Sequence, residues 1–310
     1  MLPQQFQKIT TNGVRGLIFA RLDTGPISWV TNLAMRIQSD QAIESYAWLG
    51  NAPALREFIG GRQPAELKEN GFTISNKDYE GSIRVQSKDM RRDKLGVLTI
   101  RVNQLADRAL DHPAKLLSTL ILAGESALCY DGQYFFDTDH LEDSSGTQSN
   151  KITSPAATPA APTVDEFTKA VLAAISQIYG FKDDRGEPIN QSATEFVVMV
   201  PTSYMATALL AVTALLGTGG ASGTLTTMEK YFRITVVPNP RLSWTTKFAL
   251  FRTDEAAKPF ILQEESIPDV VALGEGSEFE QLNKEQLFGV DWSGNVGYAW
   301  WQHACLVTLT

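Results

Sequence analysis

Basic charge, cysteine, histidine and long apolar runs are all scarce in this sequence, and each shortage argues against a class of function. Lys and Arg number 27 against 35 Asp and Glu, a formal net charge of −8. The cationic excess that drives phosphate binding through counterion release is therefore missing, which argues against a nucleic-acid-coating role. Only Cys129 and Cys305 are present. Far apart, in apolar or aromatic surroundings and without CxxC spacing, they read as buried free thiols rather than a disulfide. No segment nears the roughly 18 uninterrupted apolar residues of a membrane span. The opening MLPQQFQKITTNG lacks a basic stretch followed by an apolar one, so synthesis and residence in the cytoplasm are expected. What is present is 43% hydrophobic content over 310 residues, enough for one large domain or two intimate ones.

Along the chain, residues 1–60 mix polar stretches with isolated anchors such as Phe6, Ile18, Trp29 and Leu33, and read as an extended arm with one or two short helices. One of these is expected between Asp40 and Leu49, where Gly50 and Pro53 provide an ending. FTISNKDYEGSIRV (72–85) and LGVLTIRV (95–102) alternate apolar and polar residues and predict strands. The charged stretch KDMRRDK lies at the exposed end of the hairpin they would form. With few apolar partners of its own, such a hairpin calls for support from a neighbouring subunit. A helix with a broad apolar face is expected from Pro113 onward through Leu116, Leu117, Leu120, Ile121, Ala127 and Leu128. Residues 141–163, rich in Ser, Thr, Pro and Ala, read as a mobile loop and an internal boundary. Beyond them, helix VDEFTKAVLAAISQIY, strand FVVMVP, a helix from Ser203 to about Leu216, and strands FRITVVPNP and KFALFRT predict an α/β lobe. The terminal FGVDWSGNVGYAWWQHACLVTLT reads as a returning strand pair, and no internal repeat is present.

Candidate chemistry is sparse. Asp137, Asp139 and His140 put two carboxylates and an imidazole within four residues, a possible set for a hard cation. The spacing is not that of an EF-hand and no HExxH supports it, so a hydrogen-bonded turn is the preferred reading. The Gly217–Gly223 stretch lacks the Lys and Ser/Thr of a phosphate-binding loop and follows a helix where such a loop follows a strand. No serine sits in a GxSxG elbow that could enlist His112, His140 or His303. Lys88–Lys94 carries both signs and is equally a solvated face or an intersubunit ion-pair patch. Trp300 and Trp301 read as core, since no basic groove surrounds them.

Four blocks, AWLGNAPALREFIGGRQPAEL, ISNKDYEGSIRV, CYDGQYFFDTDH and FGVDWSGNVGYAWWQHA, occur in this order and together resemble the Mu-like major head subunit family, the gpT type of tailed-phage capsid protein. The Trp-Leu-Gly, Pro, Arg-Glu and Gly-x-Arg pattern falls on Trp48, Leu49, Gly50, Pro53, Arg56, Glu57, Gly60 or Gly61, and Arg62. Phe58 stands where the family pattern has tryptophan, and the Gly60-Gly61 pair looks inserted.

The resemblance implies an α+β chain with the major capsid fold of tailed phages and herpesviruses. Its parts map as an N-terminal arm (1–60), an E-loop β-hairpin (61–100), a peripheral domain with a spine helix (101–154), an α/β axial domain (155–265) and a return to the peripheral domain (266–310). It implies self-assembly as hexamers and pentamers into an icosahedral virion shell around double-stranded DNA, with no sequence-specific DNA binding, no membrane, no cofactor and no catalysis. Assembly in the host bacterial cytoplasm with a portal, a head-maturation protease and optionally a decoration protein follows from the same resemblance, and a separate scaffolding protein is expected because the sequence opens at Met1 without a helical, charged leader of scaffold type. Trp29, Trp48 and Phe58 are expected as apolar interface anchors, and Arg56, Glu57, Arg62, Arg91 and Arg92 as polar intersubunit partners. Alternatives are an encapsulin-like compartment shell, another phage structural protein, or a metal-dependent hydrolase using Asp137, Asp139 and His140.

Overall fold

The computed structural model describes residues 11–25, 27–46, 72–90, 96–216 and 231–310. The N-terminal part holds helices α1 (Thr11–Leu22) and α2 (Ser28–Leu33), then strands β1 (Ala34–Gln38) and β2 (Ile43–Tyr46). The helix expected within 40–49 is thus a strand where it is described. Helix-compatible residues are overruled by antiparallel pairing of β2 with β3 (Phe72–Ser75), which buries Tyr46 and Ile74 in the core.

Strand β4 (Lys77–Gln86) follows, then the single turn α3 (Ser87–Met90), α4 (Val97–Leu110) and α5 (His112–Ala123). The strand expected over 95–102 is therefore helical from Val97. Its β-branched residues mimic alternation, but Leu98, Val102 and Ala106 recur every fourth position and form one buried stripe. The expected helix from Pro113 stops at Ala123. Leu128, assigned to its apolar face, is 60% exposed beyond it.

The remaining elements are β5 (Lys151–Ser154), α6 (Val164–Tyr179), β6 (Glu195–Val200), α7 (Met205–Leu216), β7 (Arg233–Pro238), β8 (Lys247–Arg252), β9 (Phe260–Leu273), α8 (Glu278–Asn283), β10 (Glu285–Tyr298) and β11 (Ala304–Leu309). Helix α6 starts where expected because Thr163 and Glu166 form a reciprocal capping box. It buries Phe167, Ala170, Val171, Ala174, Ile175 and Ile178 along one face.

Strands β5-β11-β8-β6-β7 form a five-stranded sheet and β1-β9-β10-β4 a four-stranded one. Strand β11 pairs parallel with β5 and antiparallel with β8. The lobe read from residues 155–265 therefore takes two of its strands from outside that range. Residues 141–163 are not a loose linker, since they supply β5 and the fully buried Asn150.

Two apolar clusters result. The larger lies under the five-stranded sheet, α5, α6, α7 and the near halves of β9 and β10. The smaller comprises Val14, Ile18, Met90, Leu98, Val102, Ala106, Val270, Phe288 and Val290, with Ile83 and Val85 of β4 against it. The expectation that 61–100 lacks apolar partners in its own chain fails for its described part. All ten residues of β4 pair with β10, from Lys77 opposite Gly294 to Gln86 opposite Glu285.

Candidate assembly surfaces

The Asp137-Thr138-Asp139-His140 turn does not gather into a ligand set. Asp137 Oδ2 accepts from the Tyr134 N–H and Oδ1 from that of Thr138, a self-satisfied turn. Asp139 is exposed. His140 is fully buried; its Nδ1 meets Asp131 Oδ2 at 2.6 Å and its ring stacks on Trp301 at 4.0 Å. Among the described residues no three His, Cys, Asp or Glu side chains converge as a metal site.

Beside this pair lies a polar cluster that the sequence did not announce. Glu142 Oε1 accepts from Tyr130 Oη at 2.5 Å, Gln302 Nε2 at 2.8 Å and Trp301 Nε1 at 3.2 Å. Burial raises the Glu142 carboxyl above its ordinary range, and the nearby Asp131 charge adds to the effect, against the three donors. Asn150 ties the turn down, accepting from the Asp137 N–H and donating to the Phe135 and Trp301 carbonyls. These contacts fasten the 130–150 segment to the 301–302 turn. Their role is structural, and the only signal for them was the Trp-Trp-Gln-His run read as core. His303, next in that run, is held down to about 3 by burial and by the Arg252 charge, which keeps it neutral. Cys129 and Cys305 are both buried free thiols, their titration pushed up by burial.

Of the expected interface residues, Trp29 is partly buried and packs on the larger cluster of its own chain. Trp48, Arg56, Glu57, Phe58, Arg62, Arg91 and Arg92 lie outside the described residues. The surface instead offers apolar groups in other places. Helix α7, MATALLAVTALL, has no charged residue, and Met205, Leu209 and Leu210 on it are 45%, 42% and 60% exposed.

The sequence matches the model of the Mu-like prophage major head subunit gpT over residues 18–163 and 234–309. Curated relatives include the Mu-like prophage FluMu major head subunit of Haemophilus influenzae, 37% identical over 113 residues, covering 36% of this chain and 37% of that protein. The major capsid protein of Escherichia phage Mu is 33% identical over 113 residues, with the same shares covered. The alignments thus span little more than a third of these relatives' lengths. Among solved structures, the bacteriophage JBD30 procapsid chain superposes with a TM-score of 0.56 at 23% identity, covering 95% of this chain and 72% of that one. A virus-like particle from Pyrococcus furiosus gives 0.54 at 10% identity, covering 96% and 98%. These likenesses show the fold, an α+β capsid fold. The chain belongs to the Mu-like prophage major head subunit gpT family.

Proposed function

We propose that this chain is the shell-forming subunit of a tailed-phage head, closing as hexamers and pentamers around double-stranded DNA, and that it carries out no catalysis. The observation that carries the reading is the family match lying on both sides of residues 164–233, on a chain whose fold superposes on a phage procapsid subunit. Two features support it. Helix α7 presents an uncharged, partly exposed apolar face that a second copy of the chain would cover. The two apolar clusters give a body and a smaller lobe, the shape that lets heterologous contacts reach over a neighbour.

Within this reading the arm is 1–60, the E-loop 61–100, the axial domain 155–265, and the peripheral domain the segments on either side of it. Trp29, Trp48 and Phe58 serve as apolar anchors; Arg56, Glu57, Arg62, Arg91 and Arg92 serve as charged intersubunit partners. Scaffold, portal and head protease are the accessory proteins, a decoration protein is optional, and assembly takes place in the host bacterial cytoplasm. The test is overexpression followed by sedimentation and electron microscopy. Closed shells of uniform diameter are expected, and a chain that stays monomeric at high concentration, alone and with its phage's scaffold, refutes the reading. A compartment shell is the second reading, favoured by the likeness to the Pyrococcus furiosus particle. Shells recovered from phage-producing cells with protein cargo and no DNA would select it.

A further inference from the structure

The smaller lobe has a helical side and a strand side, and their charges are opposite in sign. Helices α1 and α4 pack on the four-stranded sheet through Val14, Ile18, Leu98, Val102 and Ala106, which cluster with Ile83, Val85, Val270, Phe288 and Val290. Helix α5 starts on the same side, with His112 against the rings of Tyr79 and Trp292. Residues 11–22 and 97–123 hold five basic side chains, Arg15, Arg21, Arg101, Arg108 and Lys115, against Asp107 and Asp111. That is a net +3 within a chain of −8, which leaves −11 for the remainder. Asp107 already pairs with Arg21 at 2.5 Å. Arg15, Arg101, Arg108 and Lys115 are exposed, and none of them has an ion-pair partner among the described residues. Arg101 and Arg108 stand two turns apart on one outward row of α4.

The strand side carries the opposite charge. Side chains alternate across a sheet, so with Ile83, Val85, Phe288, Val290 and Val270 turned to the helices, Asp78, Glu80, Asp291 and Asp269 face away from them. Register sets Glu80 opposite Asp291 and Asp291 opposite Asp269, three carboxylates in one row, with Asp78 two residues along β4. Like charges placed directly opposite one another repel, and no cation among the described residues pairs with any of the four. A polyanion laid on the strand side would add to that repulsion. Laid on the helical side, it would meet arginines that lack partners.

We infer that the face formed by α1, α4 and the start of α5 is a docking surface for the phosphate backbone of duplex DNA, held without regard to sequence by Arg15, Arg101, Arg108 and Lys115. The choice of DNA as the polyanion rests on the proposed function; the charged face itself does not. The net charge of −8 does not oppose it at contact range, because beyond about 10 Å at 0.1 M salt the acidic remainder is screened and the local face decides. Fluorescence anisotropy tests the surface, with the unassembled full chain titrated into a short mixed-sequence duplex over a series of low salt concentrations. Binding that weakens as salt rises is expected. Combining Arg15→Gln, Arg101→Gln and Arg108→Gln lowers affinity roughly tenfold or more and flattens the slope of log K against log salt by about 3. Arg84→Gln, Lys169→Gln and Arg233→Gln together make the same change of net charge at exposed positions elsewhere and leave the slope as it was. Arg15→Lys, Arg101→Lys and Arg108→Lys together retain binding, since a phosphate accepts a point charge. A wild-type chain that does not bind the duplex, a helix-face glutamine variant no weaker than its control, or a lysine variant as weak as the glutamine one overturns the surface. If the glutamine variant binds duplex normally but no longer closes shells, an acidic protein occupies the face instead, with Phe19 and Ile100, 44% and 56% exposed, as its apolar contacts. Because the titration needs no shell, a failure to assemble would count against the proposed function and leave this result standing.

Discussion

Replacing Glu142 separates the contribution of a buried charge from that of the bonds it accepts. All three bonds recorded for this side chain converge on Oε1, so Glu142→Gln with its carbonyl oxygen in that place keeps every donor satisfied and removes the charge. The folded-state pKa is raised above the ordinary 4.5, so the native state holds this proton more tightly than the unfolded chain. The group's contribution to stability is therefore fullest below the ordinary value, declines as pH rises through the raised one, and is constant above it. At neutral pH the wild type bears that cost, about 1.4 kcal/mol for each tenfold of proton affinity gained on folding, while the glutamine bears none. Glu142→Ala differs because it leaves the buried Trp301 N–H without its acceptor, although Tyr130 and Gln302 still bond each other. That orphan costs about 1–3 kcal/mol. The assay is urea unfolding of the unassembled chain between about pH 4 and pH 8. The expected order at neutral pH is glutamine at or above wild type and alanine below both, with the wild type gaining on glutamine as pH falls. If glutamine is as unstable as alanine, or keeps the wild-type pH slope, the charge itself holds the cluster and the reasoning fails.

Three other outcomes are expected. His140→Ala removes the Trp301 stack and leaves Asp131 Oδ2 without its partner while Oδ1 keeps the Gln133 N–H, costing about 1–3 kcal/mol, whereas Asp139→Ala at an exposed position changes little. Melting curves with and without divalent cation check both, and rescue of His140→Ala by cation would reinstate a metal site. Gly297→Ala places a Cβ on the buried Ile74 side chain, which must shift to accommodate it. A loss of about 1–3 kcal/mol, with earlier proteolysis at β3, is the result to look for. Arg62→Lys should lower particle yield in sedimentation by weakening each intersubunit contact by about 1–3 kcal/mol, with the monomer's melting point unchanged; wild-type yield, or a much lower melting point, removes the intersubunit role.

What could be read along the chain was whatever a single element decides for itself. Helix α6 has its capping box and a continuous apolar stripe, and β6 and β8 are apolar runs buried on nearly every residue, so local pattern and final environment agree. Strand β9 was passed over because Glu264, Glu265, Ser266 and Pro268 break its alternation, and that break is the physical trace of its two bulges. The start of α4 was misread for the opposite reason. Leu-Gly-Val-Leu-Thr-Ile-Arg-Val satisfies period two over eight residues, and only the further recurrence at Ala106 reveals the helical period. Strand β2 was lost because pairing with β3, some 30 residues away, outweighs local helix preference.

The proposed intersubunit residues came from family pattern and not from the physics of the chain, and there is a physical reason for that. An interface residue's partner is supplied by another copy, so within one sequence it has no complementary position to be read against. Helix α7 shows the one trace such a partner can leave. A helix half exposed in a lone subunit ordinarily carries charge on its outer face, and this one carries Met205, Leu209 and Leu210 there with no charged residue in its length. Read as sequence, the missing polar face says only that the helix is buried. Set on a surface, the same absence supports the proposal that a second copy completes the burial. If that is so, Leu210→Lys should leave the unassembled chain's unfolding midpoint within about 0.5 kcal/mol of wild type, as for other exposed positions, while abolishing shells in sedimentation. Shells at wild-type yield would mean that α7 faces solvent in the assembly as it does in the single chain.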